Sequence, residues 1–343
     1  MSPGEPKIAI VGAGSWGTAL AIVLGRARPA RPIALWVREG DVLASLQRTR
    51  ENSAFLPGFP LPPHVQATAD MEAALLSAEI VIGAMPAAHA REMYSVMLPL
   101  LHPEMRFVSA TKGLEPRTLL RMSEVMSQVI QAKFLPRVAV LSGPSFAKEV
   151  ARGDPTAVVV ASQDHHDAKE IQGELSGPAL RLYTNDDVVG VELGGALKNI
   201  IAIAAGVAEG LGLGHNTTAA LITRGLAEMM RLGTALGARR ETLAGLAGMG
   251  DLVLTCTGDL SRNRFVGIEL ARGKNLAQIQ AGMRMIAEGV GTTAAARLLA
   301  QKAGVEMPIT EQMFAVLHEG RSPKDALREL MERQLKSESD PAN

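Results

Sequence analysis

The chain has 343 residues, of which 47% are apolar and 20% are charged, a composition typical of globular rather than disordered proteins. Its 35 lysines and arginines balance its 35 aspartates and glutamates, so no net charge attracts nucleic acid or an anionic membrane. The single cysteine, Cys256, excludes an intramolecular disulfide and a multi-cysteine metal site, and we expect it to be a small buried apolar side chain.

The N-terminal half alternates short apolar strands with helices. Lys7–Val11 predicts a buried parallel strand, and residues 15–26 predict the helix that follows it. Further strands are predicted at 32–37, 78–85, 106–110, 138–141, 156–161 and 179–183, with helices at 87–100 and 119–132. This alternation indicates βαβ units and a mostly parallel sheet.

The first strand leads into Gly12-Ala-Gly14-Ser-Trp-Gly17, which matches G-x-G-x-x-G. The pattern alone is weak evidence, but here it follows a strand and opens a helix. Gly12 permits the tight turn, Gly14 lets the backbone approach a pyrophosphate, and Gly17 lets helix and strand pack closely. Free N–H groups at the helix N-terminus favour an anion. The sequence therefore predicts a Rossmann-type dinucleotide site, with a ligand-free glycine turn as the alternative.

The end of the second strand distinguishes the two nicotinamide cofactors. An acidic residue there bonds the ribose 2′-OH of NAD, whereas an arginine suits the 2′-phosphate of NADP. The chain has Arg38 followed by Glu39. Arg38 favours NADP, but the adjacent Glu39 means that NAD is not excluded. A third possibility is that Arg38 is an exposed arginine that binds no ligand.

Two more loops follow predicted strands. Lys112 follows the fourth strand, and Gly143 and Ser145 follow the fifth. Ligands of open α/β sheets bind beyond the carboxyl ends of the strands, so we expect both loops to face the cofactor crevice. Lys112 could neutralise a phosphate or a carboxylate there. The pair His165-His166 is expected in a solvated loop without matching carboxylates, and no metal-ligand spacing occurs, so no metal site is predicted.

The pattern changes near Val188, after which it is helical and rich in Ala, Leu and Met. We expect a Rossmann-like α/β domain over residues 1–189, an all-helical domain over 190–336 and a polar tail over 337–343. The most apolar run, near 193–213, is interrupted by Lys198, Asn199 and Glu209 and is too short in its uncharged part to span a bilayer. Since no signal peptide precedes the first strand, we expect a soluble, cytoplasmic protein.

Lys198 lies in the middle of this apolar run. Burial of an unpaired ammonium is costly and lowers its pKa. A lysine with such a pKa can exchange a proton with a substrate oxygen near neutral pH. The alternative is a lysine at the wet edge of a buried helix, with its stem extended toward solvent.

A second polar cluster lies at 248–264. Asp251 follows a glycine turn and could accept a bond from a substrate hydroxyl or orient Lys198. Ser261 is expected to cap a helix, and with Arg262 and Asn263 it could form an anion site at that helix N-terminus. The alternative is an ordinary cap followed by a solvated arginine.

Together these motifs resemble the bacterial type of NAD(P)-dependent glycerol-3-phosphate dehydrogenase. The matching segments run in order along nearly the whole chain, and they include GAGSWGTALA (12–21), ATKGLE (110–115), SGPSFAKEV (142–150), ELGGALKNIIAIAAG (192–206), GMGDLVLTCTGDLSRNR (248–264) and GVEMPIT (304–310). The resemblance implies reduction of dihydroxyacetone phosphate to sn-glycerol 3-phosphate, a precursor of phospholipids.

The resemblance also implies a role for each matching residue. Lys198 corresponds to the proton donor and acceptor at the C2 oxygen. The implied substrate contacts are Lys112, Gly143, Ser145, Asp251, Ser261, Arg262 and Asn263. The implied cofactor contacts are Gly12, Gly14, Ser15, Trp16, Gly17, Arg38, Ala147 and Glu288, with Lys112 and Arg262 shared between the two ligands. The implied partners are NADH or NADPH and a small phosphate substrate, without nucleic acid or membrane insertion; a glycine- and Met-rich helical domain would suit a homodimer.

Two segments depart from the family's usual pattern. Met85-Pro86-Ala87 stands where the family often has Val-Pro-Ser, and Asn52-Ser-Ala-Phe55-Leu-Pro57 stands for Asn-Pro-x-Tyr-Leu-Pro. These departures concern local cofactor contacts and not the reaction. Two other functions stay open: a β-hydroxyacid or 6-phosphogluconate-type dehydrogenase of the same plan, and a non-catalytic nucleotide sensor.

Overall fold

The computed structural model describes residues 7–334, and the predicted polar tail at 337–343 lies outside them. The chain divides into two compact units, one containing residues up to 111 together with 122–188, the other containing 112–121 and the chain from 189 onward. Segment 112–121 thus groups with the second unit, although it lies between two elements of the first. The domain bounds 1–189 and 190–336 stay predictions.

An eight-stranded sheet forms the centre of the first unit. Its strands are Lys7–Val11 (β1), Ile33–Trp36 (β2), Val65–Thr68 (β3), Ala78–Gly83 (β4), Arg106–Ser109 (β5), Arg137–Ser142 (β6), Thr156–Ala161 (β7) and Leu180–Asn185 (β8). Their spatial order is β3-β2-β1-β4-β5-β6-β7-β8. All neighbouring pairs are parallel except β6 and β7, so the predicted mostly parallel Rossmann-like fold is confirmed.

The predicted strands all occur, with ends that shift by at most two residues. The sequence reading missed β3, since its four residues, Val-Gln-Ala-Thr, lie at the sheet edge and only Val65 is buried. A short edge strand carries too little apolar alternation to be recognised.

The loop after β1 lies at the point where the order in which strands are added to the sheet reverses. The chain passes from β1 to β2 on one side and later returns to β4 on the other, so β1 has neighbours on both sides. Ligands of open α/β sheets bind at such a switch point. Ile8 and Ile10 of β1 are fully buried. Strands of a parallel sheet are covered on both faces, which explains why the sequence of β1 is apolar almost throughout.

The helices of the first unit are Ser15–Ala27 (α1), Gly40–Thr49 (α2), Met71–Leu75 (α3), Ala90–Met97 (α4), Met122–Ile130 (α5), Ala147–Arg152 (α6) and His165–Leu175 (α7). The predicted loop position of the histidine pair is wrong, because His165 begins α7. Asp164 caps this helix by accepting bonds from the amides of His166 and Asp167. His166 also has a carboxylate partner one turn later, with its Nε2 3.2 Å from Glu170.

The second unit is built from Val188–Gly210 (α8), His215–Ala235 (α9), Arg240–Ala244 (α10), Asp251–Thr257 (α11), Arg262–Ala271 (α12), Leu276–Ala281 (α13), Glu288–Ala303 (α14), Pro308–His318 (α15) and Pro323–Met331 (α16). A π-helical turn, Leu246–Gly250, precedes α11. Between Asn185 and residue 334 the structure contains no strand, as the helical pattern predicts.

Helix α8 forms the core of this unit. By length and composition it could cross a membrane, but 89% of its most apolar stretch is buried inside the protein. Leu197, Ile200 and Ile203 are each at most 1% exposed. The apolar run therefore serves as the central packing helix.

Glycines bring α12 close to α8. A Cβ added at Gly206 would lie 2.0 Å from the Arg264 carbonyl oxygen, and one at Gly267 would lie 2.0 Å from the Ile203 carbonyl oxygen. Contacts this short are possible only without side chains at the crossing. The crossing holds the polar residues at the start of α12 beside the middle of α8.

Candidate active site

Lys198 is buried in the middle of α8, with 6% of its surface exposed. Its Nζ donates to Asp251 Oδ1 at 2.6 Å and to Thr255 Oγ1 at 2.7 Å. The predicted alternative, an outward-extended lysine, does not occur. The ammonium is instead enclosed with a carboxylate and a hydroxyl, which is the arrangement that a buried charge requires.

Asp251 lies at the first position of α11, directly after the π-helical turn, and its side chain is 1% exposed. Its second oxygen, Oδ2, accepts a bond from Lys112 Nζ at 2.8 Å. A Cβ added at Gly194 of α8 would lie 2.6 Å from the Ala247 carbonyl oxygen, so this glycine lets the turn approach α8 closely. The carboxylate is thereby placed between two ammonium groups.

Thr255 completes this group, which we call the lysine cluster: Lys112, Lys198, Asp251 and Thr255. Its Oγ1 donates to the Asp251 carbonyl at 2.6 Å and accepts from Lys198. The sequence reading missed this residue. Its signal was the Asp251-x-x-x-Thr255 spacing, which places both side chains on one helix face.

Burial lowers the pKa of Lys198 from 10.5 to about 8. Desolvation is the main cause, the positive charge of Lys112 lowers the pKa further, and Asp251 opposes both. An amine of this pKa both releases and accepts a proton near neutral pH, which is what a general acid and base needs.

A second hydrogen-bonded series joins three helices beside the lysine cluster. Asn263 Nδ2 donates to Asn199 Oδ1 at 2.9 Å, and the Gly289 amide donates to Asn263 Oδ1 at 3.0 Å. A Cβ at Gly289 would lie 2.7 Å from Asn263 Oδ1. The contact of Asn199 with Asn263 follows from the close crossing of α8 and α12 and has no local sequence signal.

The start of α12 has the geometry expected of a capped helix. Ser261 is the N-cap, and its Oγ accepts a bond from the Arg264 amide at 3.2 Å. The exposed Arg262 donates from Nη1 to the Ile286 carbonyl at 2.8 Å. Glu288 begins α14, where the helix dipole favours a carboxylate.

In the first unit, the glycine turn (residues 12–17) has the conformation that its motif predicts. Gly12 has φ +117°, and a Cβ there would lie 2.8 Å from the Ala84 carbonyl oxygen. A Cβ at Gly17 would lie 1.9 Å from the Gly12 carbonyl oxygen. At Gly14, by contrast, a Cβ would meet no atom within 4 Å. The first and third glycines are therefore required by the fold, whereas the second borders open space.

This open space fits the pyrophosphate of a dinucleotide. Gly14 is the N-cap of α1 and has no side chain that could bond the first helical amides. Trp16 adds a polar atom, since its Nε1 is buried and has no hydrogen-bond partner among the described residues. The Ser15 hydroxyl donates to the Phe55 carbonyl at 2.7 Å. The residues of the turn thus fit a nicotinamide dinucleotide.

Asn52 supports the glycine turn from behind. It is fully buried, and its Nδ2 donates to the Ala13 carbonyl and to Thr18 Oγ1, both at 2.8 Å. Its Oδ1 accepts a bond from the Phe55 amide at 3.1 Å. The departures at residues 53–55 therefore leave the asparagine in place, and Asn52 is a supporting residue that local pattern reading did not single out.

The remaining predicted contacts of the first unit lie in the segments that follow β2 and β6. Gly143 has φ +139°, and the Ser145 hydroxyl donates to its carbonyl at 2.9 Å. Ala147 begins α6. Arg38 follows β2, has a side chain that is 57% exposed, and pairs through Nη2 with Glu39 Oε1 at 3.1 Å.

Two small side chains near these sites are buried. Ala87 is buried, at 1% exposed. Cys256 is 2% exposed, as expected for a small apolar side chain, and burial raises the pKa of its thiol to about 12. Among residues 7–334 no group of three His, Cys, Asp or Glu side chains could hold a metal ion.

Comparison with known proteins places these features in context. The model of the NAD-dependent glycerol-3-phosphate dehydrogenase N-terminus matches residues 7–168, and that of the C-terminus matches residues 187–328. The chain is 60% identical over 328 residues to a glycerol-3-phosphate dehydrogenase [NAD(P)+] of Koribacter versatilis, covering 95% of this chain and 97% of the relative. It is 57% identical over 332 residues to that of Acidobacterium capsulatum, covering 95% and 98%.

A solved structure agrees with these matches. The crystal structure of glycerol-3-phosphate dehydrogenase from Coxiella burnetii superimposes with a TM-score of 0.92 at 42% identity, covering 96% of this chain and all of that one. The resemblance predicted from the motifs is therefore confirmed along both parts of the chain.

Proposed function

The chain belongs to the NAD-dependent glycerol-3-phosphate dehydrogenase family, and from this premise we propose that its lysine cluster interconverts dihydroxyacetone phosphate and sn-glycerol 3-phosphate with NAD(P)H. The observation that carries the proposal is the buried ammonium of Lys198, bonded to Asp251 and Thr255 in a family member matched over nearly its full length. Reduction of a ketone needs a proton donor at its oxygen, and oxidation of the alcohol needs a proton acceptor there; an amine whose pKa is lowered to about 8 can serve as both.

Lys198 moves the proton. In reduction its ammonium protonates the alkoxide oxygen that develops at C2. In oxidation its neutral amine accepts the proton of the C2 hydroxyl. Asp251 and Thr255 hold Nζ in one place and accept its other N–H bonds, so the transferred proton has a fixed direction. General acid catalysis of this kind contributes roughly 10²–10⁴-fold to a rate.

The charge of the lysine cluster suits an anionic substrate. The cluster contains two lysine ammonium groups and one carboxylate, and both ammonium groups lie within hydrogen-bond distance of Asp251. Arg262, with Ser261 and Asn263 at the start of α12, supplies a guanidinium and helix amides for the phosphate. Binding the remote phosphate orients the carbonyl that reacts. Gly143 and Ser145 stay predicted substrate contacts.

The glycine turn binds the cofactor, which when bound supplies or accepts the hydride at C2. Gly14 leaves room for the backbone to approach the pyrophosphate, and Trp16 offers a buried N–H with no other partner in the described chain. The other proposed cofactor contacts are Gly12, Ser15, Gly17, Arg38, Lys112, Ala147, Arg262 and Glu288. Arg38 favours NADPH, and its pairing with Glu39 leaves NADH as the alternative.

The wider assignments are further proposals. The reaction would supply glycerol 3-phosphate for phospholipid synthesis in the cytoplasm, and the glycine- and Met-rich helical unit would suit a homodimer. Light scattering of the purified protein at micromolar concentration tests the last point, and a monomeric mass there would contradict it.

The test of the reaction is NADPH oxidation followed by absorbance. We expect turnover with dihydroxyacetone phosphate and little with unphosphorylated dihydroxyacetone or with 3-oxo acids. Turnover restricted to oxo acids would favour the hydroxyacid dehydrogenase, and tight NADPH binding without turnover of any ketone would favour the nucleotide sensor.

A further inference from the structure

Segment 112–121 is anchored in the helical unit by its own side chains. In sequence it connects β5 to α5, yet its contacts group it with the second unit. Leu114 and Leu119 are 3% and 9% exposed and belong to the apolar core around α8. The segment carries Lys112 at its start and Arg121 at its end, so its anchoring bears directly on the lysine cluster.

The backbone of this segment is closed on itself. The Glu115 amide donates to the Leu120 carbonyl at 2.9 Å, and the Leu119 amide donates to the Glu115 carbonyl at 2.9 Å. Leu114 and Arg121 form an antiparallel bridge. Leu119 has φ +65°, a conformation that a leucine keeps only where its surroundings demand it. The conformation of the segment is therefore fixed by its own hydrogen bonds and by the burial of Leu119.

An ion pair ties the end of the segment to the helix that bears the catalytic lysine. Arg121 Nη1 donates to Glu192 Oε2 at 2.7 Å, and the two side chains are 18% and 6% exposed. Glu192 and Lys198 both lie on α8. At the other end of the segment, Lys112 Nζ lies 2.8 Å from Asp251. Lys112 and Arg121 are thus the two ends of one closed loop, and each forms an ion pair with a helix of the second unit.

We propose that the Arg121–Glu192 ion pair is a positioning device that holds the Lys112 ammonium against Asp251 and thereby sets the protonation of Lys198. The inference rests on the proposed function, since it assigns this pair a part in the same reaction. Arg121 acts through Lys112 and has no assigned contact with substrate.

The charges around Lys198 give the direction of the effect. Asp251 and Cys256 face it from α11, and Lys112 faces it from the segment. A nearby positive charge disfavours a second ammonium. If the segment loosens and Lys112 withdraws, Lys198 keeps its proton to higher pH. The alkaline decline of ketone reduction then moves upward in pH.

Four variants and one control test this. Arg121→Met and Glu192→Gln each break the pair, their double variant tests whether both act through one contact, and Arg121→Lys preserves the charge. Arg117→Met removes an exposed arginine from the same segment and serves as the matched control. For each protein, hydrogen–deuterium exchange of peptide 112–121 is measured without ligands, together with the pH profile of kcat/KM for dihydroxyacetone phosphate.

We expect faster exchange in Arg121→Met and Glu192→Gln. The midpoint of the alkaline decline of kcat/KM should move upward by roughly 0.5–1 pH unit in both variants. The double variant should shift no further than either single one. Arg121→Lys should recover most of the wild-type pH profile, and Arg117→Met should match wild type in both measurements.

If the exchange rate of peptide 112–121 is unchanged in Arg121→Met, the ion pair does not anchor the segment. If exchange is faster but the alkaline decline of kcat/KM stays at the wild-type pH, the ion pair does not position Lys112. Additive shifts in the double variant would also overturn this positioning role. Failure of the wild-type protein to reduce dihydroxyacetone phosphate would instead refute the proposed function, and the exchange measurement would still decide whether the ion pair anchors the segment.

Discussion

The glycine turn of the first unit and the lysine cluster of the second use opposite physical means. The turn contains no charged side chain and works through missing atoms, with Gly12 at positive φ and Gly14 beside open space. The cluster works through buried charge, with Lys198 and Asp251 almost without exposed surface. We infer that the turn is sensitive to added atoms and the cluster to removed or displaced charge.

The two regions should therefore respond differently to substitution. Removing one partner of a buried ion pair leaves a charge without compensation, which costs about 3–5 kcal/mol in measured cases. A methyl group added to a glycine that faces open space leaves the fold intact and affects only what binds there. Substitutions of each kind test whether this division holds.

The largest effect should follow from Lys198→Ala. We expect kcat for ketone reduction to fall roughly 10²–10⁴-fold, because the proton donor at C2 is lost. The Kd of NADPH, measured by fluorescence titration, should stay near the wild-type value, since the glycine turn is unaltered. Lys302→Ala, which removes an exposed lysine from α14, is the control. Near-normal turnover would refute the assignment of Lys198, and a parallel loss of NADPH affinity would break the division between the regions.

The pH dependence sharpens the same comparison. Since the pKa of Lys198 is lowered to about 8, its ammonium is lost above that pH. We expect kcat/KM for reduction to fall about tenfold per pH unit above it, and kcat/KM for glycerol 3-phosphate oxidation to rise up to it and then level off. Steady-state rates in both directions check this. If kcat/KM for reduction and kcat/KM for oxidation both declined on the same side of this pKa, the single lysine could not be the acid of one reaction and the base of the other.

These regions also differ in how far sequence could predict them. The glycine turn is local, so spacing and the preceding strand sufficed to predict its conformation. The apolar run around Lys198 favoured its burial but left a lysine at the wet edge of a buried helix as the alternative, and the structure decides for burial. Thr255 had a spacing signal that was overlooked, whereas the Asn199–Asn263 contact depends on a helix crossing that no local pattern encodes. The strand β3 was missed because its four edge residues, of which only Val65 is buried, carry little periodicity.

Segment 112–121 illustrates the same limit. Lys112 was predicted to face a ligand because it follows a strand, but its contact with Asp251 joins residues far apart in sequence. The anchoring of the segment through Leu114, Leu119 and Arg121 is a property of packing around α8, and it could be recognised only once the fold was known.

A pair of glycine variants tests the turn. In Gly14→Ala the new methyl group points into open space, so we expect an unchanged Tm and a Kd for NADPH that is roughly 10–100-fold higher, since one or two bonds to a charged phosphate are lost. In Gly17→Ala the methyl group would lie 1.9 Å from the Gly12 carbonyl oxygen, and we expect a lower Tm. Thermal unfolding and fluorescence titration measure both. Wild-type NADPH affinity in Gly14→Ala would show that the open space does not receive the cofactor.

The smallest effect should come from Arg38, which follows β2, where the residue type distinguishes the 2′-OH of NAD from the 2′-phosphate of NADP. Because its side chain is 57% exposed, solvent screens its charge, and a phosphate contact there is worth about 0.5–1 kcal/mol. Arg38→Ala should therefore weaken NADPH roughly twofold to fivefold and leave NADH unchanged. Glu39→Gln should act in the opposite direction, since it frees the guanidinium from its present partner and removes a negative charge near a 2′-phosphate. The ratio of kcat/KM for the two cofactors measures both variants. Equal losses for NADH and NADPH in Arg38→Ala would mean that Arg38 does not distinguish the two cofactors.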